Sequence, residues 1–391
     1  MSEQQAGPLS GVKVLEMAGI GPAPMAAMML AELGATVLRI DRRTGAAGGI
    51  ERPTRFNFVL RGRRSISLDL KEPRALALVL RLVSRSDVLV EGFRPGVMER
   101  LGLGPQLCHD RNPRLVYGRV TGWGQDGPLA QAAGHDINYV ALSGVLHAIG
   151  RGEQPPTIPL NLVGDYAGGS LYLVVGVLAA LIEARRTGQG QVIDAAIVDG
   201  ASHLATSLFG LMSAGLWSTK RGTNIADSGA WFYDTYECSD GHWVSIGPLE
   251  PKFLAELLAR LGADPANFGS QLDPAAWPSA REQLARIFRS RTRQAWCELL
   301  EGTDACFAPV LSMPEAVQHP HMVHRRAFMD LDGQTQPAPA PRFSRWPQRA
   351  PLPPQATDAD VGLALEPFLE AEEIERLRHD GVLRDSQEVA E

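Results

Sequence analysis

Apolar runs of strand length alternate with apolar segments of helix length over the first third of the chain. Residues 12–17 and 36–40 are mostly apolar and have the length of buried strands, and residues 25–33 between them have the length of a helix. The strand pattern recurs at residues 65–70, 88–90 and 115–121. Strands separated by helices are typical of β-α-β units with right-handed crossovers. The pattern therefore predicts an α/β fold with a parallel sheet.

A different pattern begins after residue 217. Residues 218–229 are polar, and apolar and polar positions then alternate over residues 231–236 and 243–246. The Asp240-Gly241 pair between these two runs is a turn signal, so they are expected to form an antiparallel hairpin. Residues 336–355 are rich in proline and arginine, which favours an extended crossing segment over a packed core.

Length and net charge narrow the class of protein. A chain of 391 residues is long enough for two domains, or for one large domain with a smaller insertion. Its 45% hydrophobic and 21% charged residues are typical of a globular protein. The formal net charge of −6 argues against a nucleic-acid partner.

Several local features favour a cytoplasmic protein with no membrane partner. The most apolar run, residues 171–182, is only 12 residues long, whereas a membrane span needs about 20. The first 11 residues are polar and lack the apolar core of a signal peptide. The four cysteines are scattered without Cys-x-x-Cys spacing, so neither a metal site nor a disulfide framework is expected.

Two segments carry the candidate proton chemistry. His135 follows Gly134, and Asp165 follows Gly164, each just ahead of an apolar helix-like run. Glycine permits close approach of a substrate, and the start of a helix favours nearby negative charge. Two proton carriers in this setting suit chemistry at a carbon next to a carbonyl, where an enolate must be stabilised.

The first β-α-β unit raises the alternative of a dinucleotide site. Its turn contains Gly19 and Gly21, but Pro24 stands where the G-x-G-x-x-G motif requires its third glycine, so NAD binding is not favoured. Three arginines instead fall at or just past successive strand ends, where open α/β sheets bind ligands. These are Arg42, Arg94 and Arg100. They are candidate phosphate contacts, although each could also be a solvated surface residue.

Taken in order, the motifs of the chain resemble the α-methylacyl-CoA racemases of the class III CoA-transferase superfamily. The likeness covers nearly the whole length and includes Ala18-Gly19-Ile20-Gly21-Pro22, Arg39-Ile40-Asp41-Arg42, Glu91-Gly92-Phe93-Arg94-Pro95-Gly96, Gly122-Trp123-Gly124-Gln125, Gly134-His135-Asp136-Ile137-Asn138-Tyr139, residues 161–170, Tyr236-Glu237-Cys238, Leu249-Glu250-Pro251 and Ala340-Pro341-Arg342-Phe343-Ser344-Arg345. Residues 44–56 form a loop that is longer than usual for the family, which leaves the local CoA contacts open.

The resemblance implies a Rossmann-like large α/β domain formed by both chain ends and a smaller inserted α+β domain. The large domain would comprise residues 1–217 and 337–391, the small domain residues 230–330, and the linkers residues 218–229 and 331–356. It further implies an interlocked, ring-like homodimer whose active sites are shared across the interface.

The resemblance also implies a role for each site residue. His135 and Asp165 would exchange the α-proton of a 2-methylacyl-CoA thioester on opposite faces of the carbon, through an enolate. Glu250 would orient His135, and Asn161 would support the thioester oxygen. The CoA part of the substrate would contact Arg42, Leu68, Arg94 and Arg100. No cofactor and no metal is expected, since CoA is part of the substrate.

Two alternatives stay open at this point. In the CoA transferases of the same fold, the aspartate corresponding to Asp165 is a nucleophile that carries CoA between carboxylic acids. The presence of His135 and Glu250 favours proton transfer over that reaction. A non-catalytic acyl-CoA-binding protein is the second alternative, because fold alone does not imply function. The acyl group itself could be a branched fatty, sterol side-chain or arylpropionyl chain.

Overall fold

The computed structural model describes residues 7–43, 50–347 and 349–383. Within them the strands, in chain order, are β1 (Lys13–Met17), β2 (Thr36–Arg42), β3 (Arg64–Leu68), β4 (Val88–Glu91), β5 (Val116–Thr121), β6 (Val192–Ala196), β7 (Asp234–Glu237), β8 (Trp243–Ile246), β9 (Phe307–Val310), β10 (Phe328–Leu331) and β11 (Gln334–Pro337). The predicted strands at residues 12–17, 36–40, 65–70, 88–90 and 115–121 correspond to β1 to β5, with shifts of one or two residues at their ends.

The α-helices, in chain order, are α1 (Pro22–Glu32), α2 (Pro73–Val83), α3 (Val97–Arg100), α4 (Pro105–Arg111), α5 (Asp136–Leu142), α6 (Val145–Ala148), α7 (Tyr172–Thr187), α8 (Ile197–Leu204), α9 (Thr206–Ser213), α10 (Pro251–Leu261), α11 (Trp277–Phe288), α12 (Arg293–Leu300), α13 (Met313–Gln318), α14 (Pro320–His324), α15 (Val361–Leu365) and α16 (Ala371–His379). A π-helix, Leu162–Leu171, leads directly into α7. Short 3₁₀ turns lie at Thr54–Phe56, Phe58–Leu60 and Pro265–Asn267.

The described residues divide into two compact units. The larger unit contains the described residues up to Ser143, together with Leu160–Leu204 and the described residues from Phe328 onward. The smaller unit contains Gly144–Pro159 and Ala205–Ala327. The predicted large domain included residues 144–159 and 205–217, which belong to the smaller unit. The predicted linker at residues 218–229 also belongs to that unit, where Asn224 and Asp227 are buried and hydrogen-bonded to each other.

A six-stranded sheet forms the centre of the larger unit. Its strand order is β3-β2-β1-β4-β5-β6, and every pairing is parallel. The predicted parallel sheet is thus confirmed, in the doubly wound order that binds ligands beyond the carboxyl ends of the strands. Because successive strand residues point to opposite faces, Val14 packs with α1 and α7 while Leu15 packs with α2 and α15 on the other side.

The smaller unit contains a separate antiparallel sheet. The predicted hairpin is confirmed, since β7 pairs with β8 through Tyr236 opposite Val244, and β9 extends the sheet on the other side of β8. The core of the unit is aromatic, with Trp231, Phe232 and Phe288 fully buried. This sheet and its helices form a hydrophobic core of their own.

The helical segment Leu162–Thr187 is longer than the apolar run that the sequence singles out. The predicted apolar run of residues 171–182 lies inside it, but the whole helix has 26 residues and is long and apolar enough to cross a membrane by those criteria alone. Core helices of globular proteins meet the same criteria. Here Leu173 and Val177 are fully buried and pack with Val116 and Val120 of β5. The prediction that this segment is too short to span a bilayer is therefore wrong. The uninterrupted apolar run has 12 residues, but the helix that contains it has 26.

Candidate active site

His135 lies at the start of α5, as the sequence predicted. It is the residue before the first helical turn, and its backbone is extended with φ −132° and ψ 173°. Its N–H donates to Oδ1 of Asn138 at 3.0 Å, which fixes the entry of the chain into the helix. The side chain of His135 is exposed, so the imidazole is accessible at the start of α5.

Asp165 lies within the first turn of the π-helix, and not ahead of the helix as predicted. Asn161 immediately precedes this helix, and π-helical turns occur often at functional sites. The carboxylate of Asp165 packs against Gly21, where an added Cβ would lie 3.3 Å from Oδ2. Gly21 also has a φ of 69°, which favours glycine. The glycine of the first β-α turn therefore makes room for Asp165.

Burial makes Asp165 a weaker acid than an ordinary aspartic acid side chain. Desolvation is the largest cause, and the nearby Asp136 carboxylate adds to it, so that the pKa of Asp165 is raised to about 6. A hydrogen bond from the Asn161 side chain and the proximity of His135 act in the opposite direction. A carboxylic acid of this strength approaches an ordinary imidazolium in acidity, which is suited to both taking and returning a proton.

His135 and Asp165 line one cavity of about 520 Å³ in the larger unit. Its volume is in the range of small-molecule sites. Trp123 and Tyr139 form an apolar wall, with their rings edge to face at a centroid distance of 4.7 Å. Arg94 also lines the cavity. The cavity therefore combines two proton carriers, an aromatic wall and a cation.

The predicted CoA contacts are not all at this cavity. Arg94 lines it, whereas Arg42 lies at the end of β2 with its guanidinium 5.4 Å from the centre of the Phe93 ring. Arg100, at the end of α3, is exposed and outside the lining. The side chain of Leu68 is 1% exposed in the hydrophobic core, so any contact of this residue with CoA would use its backbone.

A buried ion pair supports the Arg94 loop. Glu91 is inaccessible to solvent, accepts the N–H of Phe93 at 2.6 Å and accepts Nε of Arg119 at 2.8 Å. Because a buried charge is costly unless it is paired, these bonds hold the turn that carries Arg94. Glu91 was part of a recognised motif, but the sequence did not assign it this role.

The other two predicted catalytic residues have different surroundings. The side chain of Asn161 hydrogen-bonds to the Asp165 carboxylate, so its observed partner is the acid itself. Glu250 is exposed in the smaller unit, at the residue preceding α10. Its pairing with His135 stays a prediction.

Two glycines pack against Tyr139, a role that their sequence motifs did not indicate. A Cβ on Gly122 would lie 2.0 Å from the Tyr139 ring, and one on Gly134 would lie 2.7 Å from it. The Tyr139 hydroxyl donates to the carbonyl of Gly134. Both glycines stand in motifs that the sequence singled out, but only the structure shows that the same tyrosine ring requires them. Among the described residues, no group of three or more His, Cys, Asp or Glu side chains could hold a metal ion.

The chain is similar to known proteins over nearly its whole length. The sequence profile of CoA-transferase family III matches residues 9–360. The α-methylacyl-CoA racemases of mouse and human are each 42% identical to this chain, over 97% of its length and 98% of theirs. The crystal structure of a CaiB/BaiF family protein from Brucella suis has a TM-score of 0.75 at 26% identity, covering 90% of this chain and 97% of that one.

Proposed function

Because the chain belongs to CoA-transferase family III, we propose that it epimerises the α-carbon of 2-methylacyl-CoA thioesters. The observation that carries this proposal is the placement of His135 and Asp165 on one cavity, with the pKa of Asp165 raised to about 6. The identity of 42% to racemases over nearly the full chain supports the same reaction.

The reaction needs one base and one acid on opposite faces of the α-carbon. In one direction the Asp165 carboxylate removes the α-proton, and the C–H electron pair moves into the thioester to form an enolate. A proton from the His135 imidazolium then adds to the other face. In the reverse direction neutral His135 is the base and protonated Asp165 is the acid. The enzyme therefore holds the same number of protons in both directions.

Enolate formation places negative charge on the thioester oxygen. The N–H groups of the first turn of α5 lie directly after His135, and the start of a helix stabilises nearby negative charge. We infer that the thioester oxygen lies against this helix start, where preorganised donors lower the barrier. Arg94 would meet the CoA part of the substrate from the same cavity, with Arg42 and Arg100 nearer its outer phosphates.

Nucleophilic transfer of CoA by Asp165 is the alternative reaction within the family. A nucleophilic carboxylate needs to be ionised and does not need an imidazole as a second proton carrier. A carboxyl group with a raised pKa, on the same cavity as His135, favours proton transfer instead.

The test is incubation of (2R)- and (2S)-2-methylacyl-CoA with the protein in D2O, without any acceptor carboxylate. We expect both epimers to converge on one mixture while the α-carbon gains one deuterium, because the proton returned to the carbon comes from a solvent-exchanged acid. Mass spectrometry and chiral chromatography of the same samples measure the two effects. If the α-carbon gains no deuterium and CoA is transferred once a carboxylic acid is added as acceptor, the proposed epimerase activity is wrong and the protein is a CoA transferase.

The assembly and its setting are part of the proposal. We infer an interlocked homodimer with shared active sites, supported by apolar side chains that the larger unit exposes along the helix Leu162–Thr187. Leu171, Val175 and Ile182 are 45%, 65% and 71% exposed. The protein is proposed to act in the cytoplasm, to need no cofactor beyond the CoA of its substrate, and to bind neither nucleic acid nor a membrane.

Glu250→Gln is expected to lower kcat by about tenfold, a smaller effect than loss of a proton carrier, because it would weaken the orientation of His135 without removing it. The measurement is the epimerisation rate of both epimers at saturating substrate. Glu256→Gln is the matched control, since Glu256 is a surface residue on α10 that pairs with Arg260. Unchanged turnover in Glu250→Gln would remove the orienting role.

A further inference from the structure

Asp136 is a carboxylate beside both proton carriers that the mechanism above does not use. It is the first residue of α5, directly after His135, and only 9% of its surface is exposed. Its Oδ1 accepts the N–H of Asp165 at 2.6 Å. The N–H of Gly164 also donates to this carboxylate. Asp136 therefore connects the first turn of α5 with the first turn of the π-helix.

The chain is shaped to admit this contact. A Cβ on Gly164 would lie 2.3 Å from Oδ1 of Asp136, so only glycine at this position lets the carboxylate reach the helix start. The first N–H groups of a helix have no partner within the helix, and a side-chain oxygen can satisfy them. Asp136 does so from a different helix, although it is far from Asp165 in the sequence.

The contact also brings a second negative charge towards Asp165. Burial is the larger of the two influences that raise the pKa of Asp165, and the charge of Asp136 is the second. Among the described residues, the other titratable groups shown to interact with Asp165 are His135, at the start of α5, and Tyr139, within it. From α1 and the turn before it, Gly21 and Pro22 face the cavity without charge, and α8 presents Ile197 there.

We propose that Asp136 is a positioning residue that couples the two proton carriers: it fixes the Asp165 backbone to the start of α5 and holds a second carboxylate beside it. The inference rests on the proposed function. A rigid link between the two helix starts keeps Asp165 and His135 on fixed sides of the substrate, as inversion requires. The added negative charge keeps Asp165 a weak acid, so that it can return a proton as readily as it takes one.

The decisive variant is Asp136→Asn, which keeps the shape and an acceptor oxygen but removes the charge. Asp165 should then become a stronger acid, and the acid limb of the pH profile of kcat/KM should move to lower pH by about 1 unit. At any one pH, kcat/KM should change by the same factor in the two directions, because the equilibrium between the epimers does not depend on the enzyme. A residue that only packs would lower activity without moving the limb.

Two further variants separate position from charge. Asp136→Ser is smaller and uncharged, so it should move the limb in the same direction and also lower kcat because the helix start is held less firmly. Asp87→Asn is the matched control, since Asp87 accepts the backbone N–H of Lys13 at 2.8 Å beside the amino end of β1. It should leave both kcat and the acid limb unchanged.

A titration that needs no turnover completes the test. The carboxyl ¹³C signal of Asp165, assigned by its loss in Asp165→Asn, is followed against pH in the parent protein and in Asp136→Asn. A lower midpoint in the variant supports the coupling, whereas an unchanged or higher midpoint overturns it even if the parent protein is an active epimerase. If the parent lacks α-proton exchange, the proposed function fails, and the titration still decides whether Asp136 controls the acidity of Asp165.

Discussion

Asp165→Asn is expected to reduce α-proton exchange and epimerisation by about 10³-fold, within the range contributed by a positioned acid or base. The amide has nearly the same shape as the carboxyl group and can keep the contact with Asn161, but it neither takes nor returns a proton at neutral pH. Since each direction uses both proton carriers, both directions should fall together. The measurement is deuterium gain and epimer ratio for each starting epimer in D2O.

The control for this variant is Asp194→Asn. Asp194 is a carboxyl in the same unit whose pKa is also raised by desolvation, and it accepts the N–H of Gln125 at 2.9 Å. It does not line the cavity that holds Asp165, so its loss should leave exchange within a fewfold of the parent rate. If the exchange rate of Asp165→Asn also stayed within a fewfold of the parent rate, Asp165 would not be a proton carrier.

The same variant bears on the transferase alternative. A nucleophilic Asp165 would form a covalent acyl-enzyme, which intact-protein mass spectrometry would detect after incubation with acyl-CoA. For an epimerase, we expect deuterium in the substrate and no acyl adduct on the parent protein. An adduct that disappears in Asp165→Asn would establish nucleophilic chemistry at this residue.

The parallel sheet could be predicted because its physical signal is local. The strand around Val14 and Leu15 has adjacent apolar residues that point to opposite faces, since both faces of the sheet are covered by helices. The start of α5 after His135 could also be predicted from the sequence, because a glycine followed by a polar residue and an apolar run is typical of a helix start. The Asp240-Gly241 turn indicated the β7–β8 hairpin for the same local reason.

The environment of Asp165 could not be predicted in the same way. Over the ten residues Leu162–Leu171, a π-helix and an α-helix differ too little in periodicity for the apolar pattern to distinguish them. The sequence therefore placed Asp165 before the helix, whereas it lies inside the first turn. The role of Asp136 depends on contact with Gly164, which only the packing of two helix starts reveals.

The boundaries of the two units were harder still to predict, because they depend on which residues contact each other and not on composition. Residues 218–229 are polar and were interpreted as a linker, but Asp227 accepts the N–H groups of Gly222 and Asn224 and is buried. Polar residues that satisfy one another in this way resemble a linker in sequence. Residues 144–159 carry no signal that would assign them to the smaller unit.

Arg63→Met is expected to lower the free energy of unfolding of the larger unit by about 3–5 kcal/mol, the cost of leaving a buried charge unpaired. Glu16 on β1 is fully buried, and its Oε2 lies 3.1 Å from Nε of Arg63. Arg63 also donates to the carbonyl of Pro24 at 2.9 Å. Removing the guanidinium would leave Arg39 as the remaining cation acting on Glu16.

The loss of unfolding free energy in Arg63→Met should increase as the pH rises. Burial raises the pKa of Glu16 above its ordinary value, with Arg63 opposing that rise, so the pKa of Glu16 should be higher still in Arg63→Met. A carboxyl with a raised folded-state pKa favours the folded state below its unfolded pKa, and this contribution is lost as the pH rises through the folded value. The deficit of Arg63→Met against the parent should therefore be smaller at pH 5 than at pH 8.

Hydrogen exchange of the β1 and β3 amides at the two pH values measures this deficit within the larger unit. The double variant Glu16→Met, Arg63→Met should recover most of the loss, because replacing both partners of a buried pair by apolar groups removes the unpaired charge. Arg186→Met, which breaks the exposed pair with Glu183, is the surface control and should cost nothing measurable. A deficit that did not grow with pH would show that Glu16 is not the source of the cost.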